Sequence, residues 1–340
     1  DGALVQLAFY GGYFAMAFPA ALFIRKFSYK TGILLGLALY AAGALLFIPA
    51  SMTGLYYPFL IAYFILTCGL SFLETSSNPY ILTMGDESTA TRRLNLAQAF
   101  NPIGSLLGMF TAMTFIQAKL NPLSTAERAQ LSAEEFEAVK AADLQVLIAP
   151  YVTVGLIILV LFLIIRFTPM PKNADQDHSL HLGHALKRIF SIARYREGVI
   201  AQFFYVGVQI MCWTFIIQYG TRIFVNQGMP EQDAEVLSQQ YNIAAMAIFC
   251  VSRFVCTFLL KYFSPGKLLM TLAIGGGILT LGVIGFQNIW GLYCLVGVSA
   301  CMSLMFPTIY GIALQGLGDD AKFGAAGLIM AILGGSVMPP

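Results

Sequence analysis

The chain has 340 residues, of which 58% are hydrophobic and only 11% are charged, and its mean hydropathy is +0.75. Soluble domains normally carry about a quarter charged residues, so this composition excludes a soluble globular protein. The net charge of +2 favours no class of partner, and we expect none among nucleic acids.

Apolar segments of about 20 residues recur along the whole chain, and each is long enough to cross a bilayer as a helix. The sequence therefore predicts an all-α polytopic membrane protein embedded in a lipid bilayer. We place the segments, with soft bounds, at residues 3–24, 31–50, 54–84, 94–118, 145–167, 197–220, 236–261, 267–287, 289–316 and 323–340.

The connections between the segments alternate in charge. One set is basic and includes residues 25–30 and 168–196, whereas the other set, residues 119–144 and 221–235, is rich in acidic residues. Lys and Arg concentrate in the cytoplasmic loops of membrane proteins. The basic connections are therefore predicted to be cytoplasmic, and segment 3–24 is predicted to run from outside to inside. In the outer connection, residues 121–143 are predicted to form a short amphipathic helix.

The longest cytoplasmic connection lies near the middle of the chain, at residues 168–196. It is predicted to be a linker between an N-terminal bundle, residues 1–167, and a C-terminal bundle, residues 197–340. Two pseudo-symmetric bundles that flank a cytoplasmic linker are typical of a transporter.

An internal repeat supports this division. The basic loop at 25–30 has a counterpart at 261–267, and the Gly-Asp-acid triplet at 85–87 has a counterpart at 318–320, at similar offsets. We therefore expect two homologous halves in parallel orientation. If six spans make one half, the first and the last transmembrane helices lie outside these residues.

One carboxylate lies deep inside an apolar segment. Glu74 is the only acidic residue far from a chain end that has long apolar runs on both sides. A carboxylate within a membrane span is costly and is by default a functional-site hypothesis. Asn78 follows four residues later, shares a helix face with Glu74 and is a further candidate for binding the substrate. The open alternative is a structural carboxyl group that bonds to a neighbouring helix.

Amide and aromatic side chains form polar stripes on two further segments. They are Gln98 and Asn101 on segment 94–118, and Gln202, Tyr205, Gln209 and Trp213 on segment 197–220. Amides both donate and accept hydrogen bonds, and aromatic rings stack on the apolar face of a sugar. The stripes predict one shared cavity for a neutral, hydroxyl-rich ligand. The alternative for any single side chain is that it holds neighbouring helices together.

A neutral ligand is not driven by the membrane potential, but a titrating carboxylate can couple its movement to protons. Burial disfavours the charged form of a carboxyl group, so Glu74 is predicted to take up a proton outside and release it inside. Each proton is worth about 2.3 kcal/mol per 100 mV. Proton symport is the resulting hypothesis. For Arg253, near the cytoplasmic end of its segment, we expect a structural role.

The remaining reactive side chains indicate no enzyme. The six cysteines all lie inside apolar segments without metal-ligand spacing, and they are predicted to be packing residues. His178, His181 and His184 share the linker, where a solvated helix is favoured over a metal site. We expect no catalytic residue, no metal and no cofactor.

Three stretches carry a resemblance to a known family. GLSFLETSSNPYILTMG, RLNLAQAFN and AQFFYVGVQIMCW resemble the fucose:proton symporter family of the major facilitator superfamily. The resemblance implies the fold of that superfamily, with helices 2–6 and 7–11 of twelve in this chain. It assigns proton coupling to Glu74 and sugar contacts to Gln98 and Asn101. A membrane aspartate that the family carries on its first helix lies outside these residues.

The resemblance also sets the expected substrate. L-fucose is the favoured substrate. A monomer is expected to carry it, together with a proton, across the bacterial inner membrane by alternating access. The family pattern Gln-Tyr-Pro, with the Tyr near the sugar, is replaced by Met305-Phe306-Pro307, which places Phe306 beside the sugar and puts the substrate in question. The alternatives are a glucose/galactose-type hexose transporter of the same family, and a facilitator or efflux carrier for another small molecule.

Overall fold

The computed structural model describes residues 2–116, 119–123, 125–128, 130–171 and 182–338, and this part of the chain is helical with no strand. The principal helices, in chain order, are α1 (Gly2–Lys26), α2 (Tyr29–Thr53), α3 (Tyr56–Thr83), α4 (Glu87–Ile116), α5 (Ala133–Phe167), α6 (Leu182–Ser191), α7 (Ala193–Asn226), α8 (Glu231–Leu259), α9 (Pro265–Gly285), α10 (Ile289–Leu314) and α11 (Gly318–Val337).

Within the described residues, nine of these helices are long and apolar enough to cross a membrane: α2 to α5 and α7 to α11. The other predicted span, 3–24, forms α1, a helix of 25 residues. The prediction of an all-α polytopic membrane protein is confirmed. The linker helix α6 is a short helix of 10 residues.

Helix α5 begins earlier than the sequence predicts. Residues 121–143 are expected to form a separate amphipathic helix, but a single helix of 35 residues starts at Ala133 and continues into the span. Its start is fixed by a capping box, in which the Ser132 hydroxyl accepts from the Glu135 amide and the Glu135 carboxylate accepts from the Ser132 amide. Because nothing interrupts the helix after this cap, the amphipathic turns and the span merge.

Helices α4 and α10 are each interrupted shortly before a proline. In α4, the helix Ala90–Gln98 ends and a second helix, Asn101–Thr111, begins with Pro102 in its first turn. In α10, the break lies between Met302 and Met305, just before Pro307. Proline has no amide hydrogen and clashes with the preceding turn, so each proline bends its helix.

The helices pack as two groups with an extensive contact between them. In the first group, α1 to α5, helix α3 packs on α1 and α2, and α2 packs on α5. In the second group, α7 to α11, helices α7, α8, α9 and α10 pack in neighbouring pairs. Between the groups, α11 lies against α1 and α3, and α4 lies against α8 and α10. The division into two domains with a linker at 168–196 stays a prediction.

Contacts on the side of the basic loops, which the positive-inside rule assigns to the cytoplasm, bring the two groups together. The buried Asn95 amide of α4 donates to the Thr308 hydroxyl of α10 at 3.1 Å. The Arg25 guanidinium of α1 donates to the Asp319 carbonyl of α11 at 2.6 Å. The cytoplasmic side is therefore closed in this structure.

The linker helix α6 lies on the same side and packs on the second group. Its Ala185 and Ile189 side chains are buried in a core cluster that contains the cytoplasmic ends of α10 and α11. Arg188 forms an ion pair with Asp320, whose side chain is almost fully buried. His184 is exposed on this helix, whereas His178 and His181 lie outside the described residues.

Candidate functional site

A cavity of about 240 Å³ lies between the two helix groups. Helices α1, α3 and α4 form one wall, and helices α7, α8, α10 and α11 form the other. The first wall is rich in polar side chains: Tyr10, Tyr13, Glu74, Gln98, Asn101 and Ser105. The cavity therefore contains the carboxylate and the α4 amides that the sequence analysis selected.

Glu74 is held in a hydrogen-bonded chain with two amides. Asn78, one turn later on α3, donates to the Glu74 carboxylate, and this confirms that the two residues share a helix face. Gln98 of α4 donates to the Asn78 side-chain oxygen at 2.9 Å and approaches the Glu74 carboxylate at 3.5 Å. Asn78 is buried behind Glu74 and does not line the cavity. We infer that it orients Glu74.

The break in α4 places Gln98 and Asn101 beside the cavity. Gln98 ends the first part of the helix, and Asn101 begins the second part. Pro102 lies in the first turn of the second part. Both side chains line the cavity, as the sequence predicts.

The stripe on α7 is divided. Gln209 and Trp213 line the cavity, but Gln202 and Tyr205 do not. The Tyr205 hydroxyl donates to the Met302 carbonyl at 2.9 Å, and it joins α7 to α10. Gln202 is fully buried, and neither of its amide atoms has a hydrogen-bond partner among the described residues. The cavity ends before Gln202 and Tyr205, which lie further along the same helix toward the cytoplasm.

The second wall is mostly apolar. Trp213 and Phe249 meet edge to face with ring centroids 5.2 Å apart, and Phe306 stacks on Tyr310 at 6.3 Å. Val206, Ile210 and Met246 add aliphatic surface to this wall. Aromatic faces of this kind pack against C–H groups, so they suit the apolar side of a ligand.

Several residues of the site were not selected from the sequence, among them Tyr10, Tyr13 and Arg253. Tyr10 and Tyr13 of α1 line the first wall, but an aromatic residue in an apolar helix gives no signal of its own. Arg253 lines the cavity at its cytoplasmic end, although its position near a span end favoured a purely structural role. The signal that the sequence offered is a charged residue inside an apolar segment, because a charge inside a membrane protein faces the protein interior or a cavity.

The Arg253 guanidinium is almost fully buried and lies over the Phe249 ring at 4.7 Å. It donates to the Ser303 carbonyl at 2.6 Å and to the Gln98 carbonyl at 2.9 Å. Arg253 and Glu74 line the same cavity. The site therefore contains one carboxylate and one guanidinium, with neutral amides around the carboxylate.

Among the described residues, no group of three or more His, Cys, Asp or Glu side chains is arranged to hold a metal ion. All six cysteines are free, and each is at least partly buried. The polar groups of the cavity are those of a site that binds by hydrogen bonds.

Comparison with known proteins identifies the family. The model of the Major Facilitator Superfamily matches residues 2–339. The chain belongs to the major facilitator superfamily. It is therefore a multi-pass membrane protein, and bacterial relatives in the superfamily place it in the inner membrane.

Individual relatives in the superfamily cover nearly the whole chain. It is 51% identical to the L-fucose-proton symporter of Haemophilus influenzae, over 100% of this chain and 79% of the relative. It is 35% identical to the L-fucose-proton symporter of Escherichia coli, over 99% of this chain and 76% of the relative. A glucose/galactose transporter of Brucella abortus is 32% identical, over 99% of this chain and 76% of the relative.

Two solved structures from the superfamily have the same fold. A crystal structure of the E. coli fucose:proton symporter matches 98% of this chain and 81% of its own, with 35% identity and a TM-score of 0.91. A second crystal structure, of a transporter of the same superfamily in the outward conformation, matches 99% of this chain and 81% of its own. Its sequence identity is 34% and its TM-score is 0.91. That conformation agrees with the cytoplasmic contacts between the two helix groups.

Proposed function

We propose that the protein is a secondary active transporter that carries L-fucose together with a proton across the bacterial inner membrane. The observation that carries this proposal is the cavity between the two helix groups. It combines a hydrogen-bonded carboxylate, Glu74, with an opposite apolar wall, in a chain that is 51% identical to an L-fucose-proton symporter. The relatives with 51%, 35% and 32% identity are all named as transporters, which supports a transport function.

The two walls suit a 6-deoxy sugar. The amides of Gln98, Asn101 and Gln209 can donate to and accept from sugar hydroxyl groups. The apolar wall, which includes Trp213 and Phe306, can receive the C–H face of the ring and the methyl group of fucose. The additional hydroxyl of glucose or galactose would lose its water there without gaining a hydrogen bond, and this costs affinity.

Glu74 is the group we assign to proton coupling. In its charged form, the carboxylate is stabilised by hydrogen bonds from the Asn78 and Gln98 amides. In its protonated form, it loses its charge and becomes cheaper to enclose when the cavity closes over the sugar. A proton that binds from outside and leaves inside then couples the potential to sugar movement.

The surroundings and assembly complete the proposal. Large apolar side chains are exposed along α5 and α9, among them Leu156, Ile164, Ile278 and Leu281. Such exposure suits contact with lipid tails. We propose that the protein works as a monomer in the bilayer, with the sugar and the proton as its ligands. Each helix group forms one half of the transport machinery, and residues 168–196 link them.

Uptake into proteoliposomes tests the proposal. The full-length protein is reconstituted, an inward proton gradient is applied, and entry of labelled L-fucose is measured with and without unlabelled galactose or glucose. We expect concentrative L-fucose uptake that collapses when a protonophore is added and resists both hexoses. Absence of L-fucose uptake, together with gradient-driven uptake of labelled glucose or galactose, would assign the chain to the hexose branch. Uptake that ignores the gradient would indicate a facilitator.

A further inference from the structure

Arg253 binds two carbonyl groups that prolines leave without a helical partner. In an α-helix, each carbonyl accepts from the amide four residues later. For Gln98 that position is Pro102, and for Ser303 it is Pro307, and neither proline has an amide hydrogen. Arg253 replaces the two missing donors, with its Nη1 on Gln98 at 2.9 Å and its Nε on Ser303 at 2.6 Å.

We propose that this arrangement is a latch that holds the cytoplasmic side closed. Gln98 is on α4 in the first helix group, whereas Arg253 and Ser303 are on α8 and α10 in the second. Opening the cytoplasmic side separates α4 from α8 and α10. The bond to Gln98 must then break, while the bond to Ser303 stays within one group. The inference rests on the alternating access of the proposed function.

The chemistry of arginine suits this role. A guanidinium carries five N–H donors in a rigid, planar fork, so two of them can reach carbonyl groups on different helices at once. Here the group is 3% exposed and covered by the Phe249 ring. Because a buried charge needs partners, release of the Gln98 carbonyl is unfavourable until water or another acceptor replaces it. The latch therefore resists opening without a covalent or ionic link between the groups.

The latch also shares a residue with the proton site. The backbone carbonyl of Gln98 binds Arg253, and the side chain of the same residue donates to Asn78 and approaches Glu74. A change of protonation at Glu74 rearranges the hydrogen bonds of the Gln98 amide. Arg253 is thus a positioning residue, which acts on the carboxylate through the α4 break.

Cysteine accessibility tests the latch without sugar or a proton gradient. Ala90 is buried at the cytoplasmic start of α4 and lines a cavity of about 410 Å³ between α4 and α10. The reporter is Ala90→Cys in the full-length protein. A membrane-impermeant maleimide is applied to the cytoplasmic side, and the parallel sample without the reporter corrects for native cysteines.

The decisive variant is Pro102→Ala, which supplies the missing amide to Gln98 and lets the helix compete with Arg253. It deletes no hydrogen-bonding group, and an unchanged thermal unfolding midpoint checks that the fold is retained. A hydrogen bond to a charged donor biases an equilibrium by roughly tenfold, so we expect the labelling rate of the reporter to rise about five- to tenfold. Arg253→Gln should raise it similarly. The matched control is Pro150→Ala, a helix-interior proline in α5, which should leave the rate unchanged.

A double-variant cycle separates the latch from a general effect of straightening α4. If Pro102 acts through Arg253, the change Pro102→Ala adds little once Arg253→Gln is present. Equal effects of Pro102→Ala with and without Arg253, or a labelling rate equal to that of the Pro150→Ala control, would overturn the latch. Failure of L-fucose uptake with a normal labelling shift would instead overturn the substrate proposal alone.

Discussion

Replacement of Glu74 by Gln isolates the contribution of one proton. The change keeps the length of the side chain and an oxygen that can accept from Asn78 and Gln98, which are the two amides that contact the carboxylate. It removes the ability to exchange a proton. With one proton per sugar, a potential of 100 mV supplies about 2.3 kcal/mol, which corresponds to an accumulation ratio of roughly fiftyfold. We expect this ratio to fall to about one.

The assay compares two transport modes in the same proteoliposomes. Gradient-driven uptake measures the coupled reaction, and exchange of internal for external labelled L-fucose at equal concentrations measures alternating access without net proton movement. Glu74→Gln should abolish accumulation and retain exchange, because a neutral Gln resembles the protonated carboxyl group. Asn78→Asp, which adds a second carboxyl group beside Glu74, serves as a comparison that should disturb both modes.

Two results would refute the reasoning. Normal accumulation by Glu74→Gln would show that Glu74 is a structural carboxyl group and that the proton binds elsewhere. Loss of both modes, with a normal thermal unfolding midpoint, would show that the charged carboxylate itself contacts the sugar. Only retained exchange with lost accumulation identifies Glu74 as the proton carrier.

Two further predictions concern binding and stability. Trp213→Ala should raise the KM for the sugar roughly tenfold, since loss of about 60 Å² of apolar contact costs about 1.5 kcal/mol; Trp290→Ala, whose ring is exposed outside the cavity, should not change KM. Gly36→Ala should lower the thermal unfolding midpoint, because its new Cβ would lie 3.0 Å from the Gly69 carbonyl and the helices must separate at a cost of about 1–3 kcal/mol. Gly104→Ala, with no atom within 4 Å, should leave the midpoint unchanged.

The fold was largely predictable because length and hydropathy determine which segments can span a bilayer. The sequence also located Glu74 and its partner Asn78, since the cost of a buried carboxylate and the four-residue spacing are local properties. The sequence does not separate two glycine pairs with the same four-residue spacing: Gly32 and Gly36 lie at close helix contacts, whereas Gly104 and Gly108 have no atom within 4 Å of an added Cβ. A spacing motif shows that one helix face is small, but it does not show whether another helix covers that face.

Tertiary contacts account for the parts of the site that were missed. The sequence shows that Pro102 and Pro307 each remove a donor, and so that two carbonyl groups need partners. It does not show that α4 and α10 bring both carbonyls to the same place, or that Arg253 on α8 lies between them. Depth along a helix can be read from hydropathy, but the direction each helix faces depends on its neighbours.

The unequal chemistry of the two cavity walls has a mechanistic consequence. Directional contacts from Gln98 and Asn101 lie on the wall that also carries Glu74, while Trp213 and Phe306 lie on the other. In the proposed function, a change of protonation at Glu74 alters the hydrogen bonds on the wall that carries Gln98 and Asn101. The apolar side chains of the other wall bind without strict direction, so they can keep contact with the sugar while the helix groups move. The proposed function thus places proton coupling in one helix group and the apolar contact with the sugar in the other.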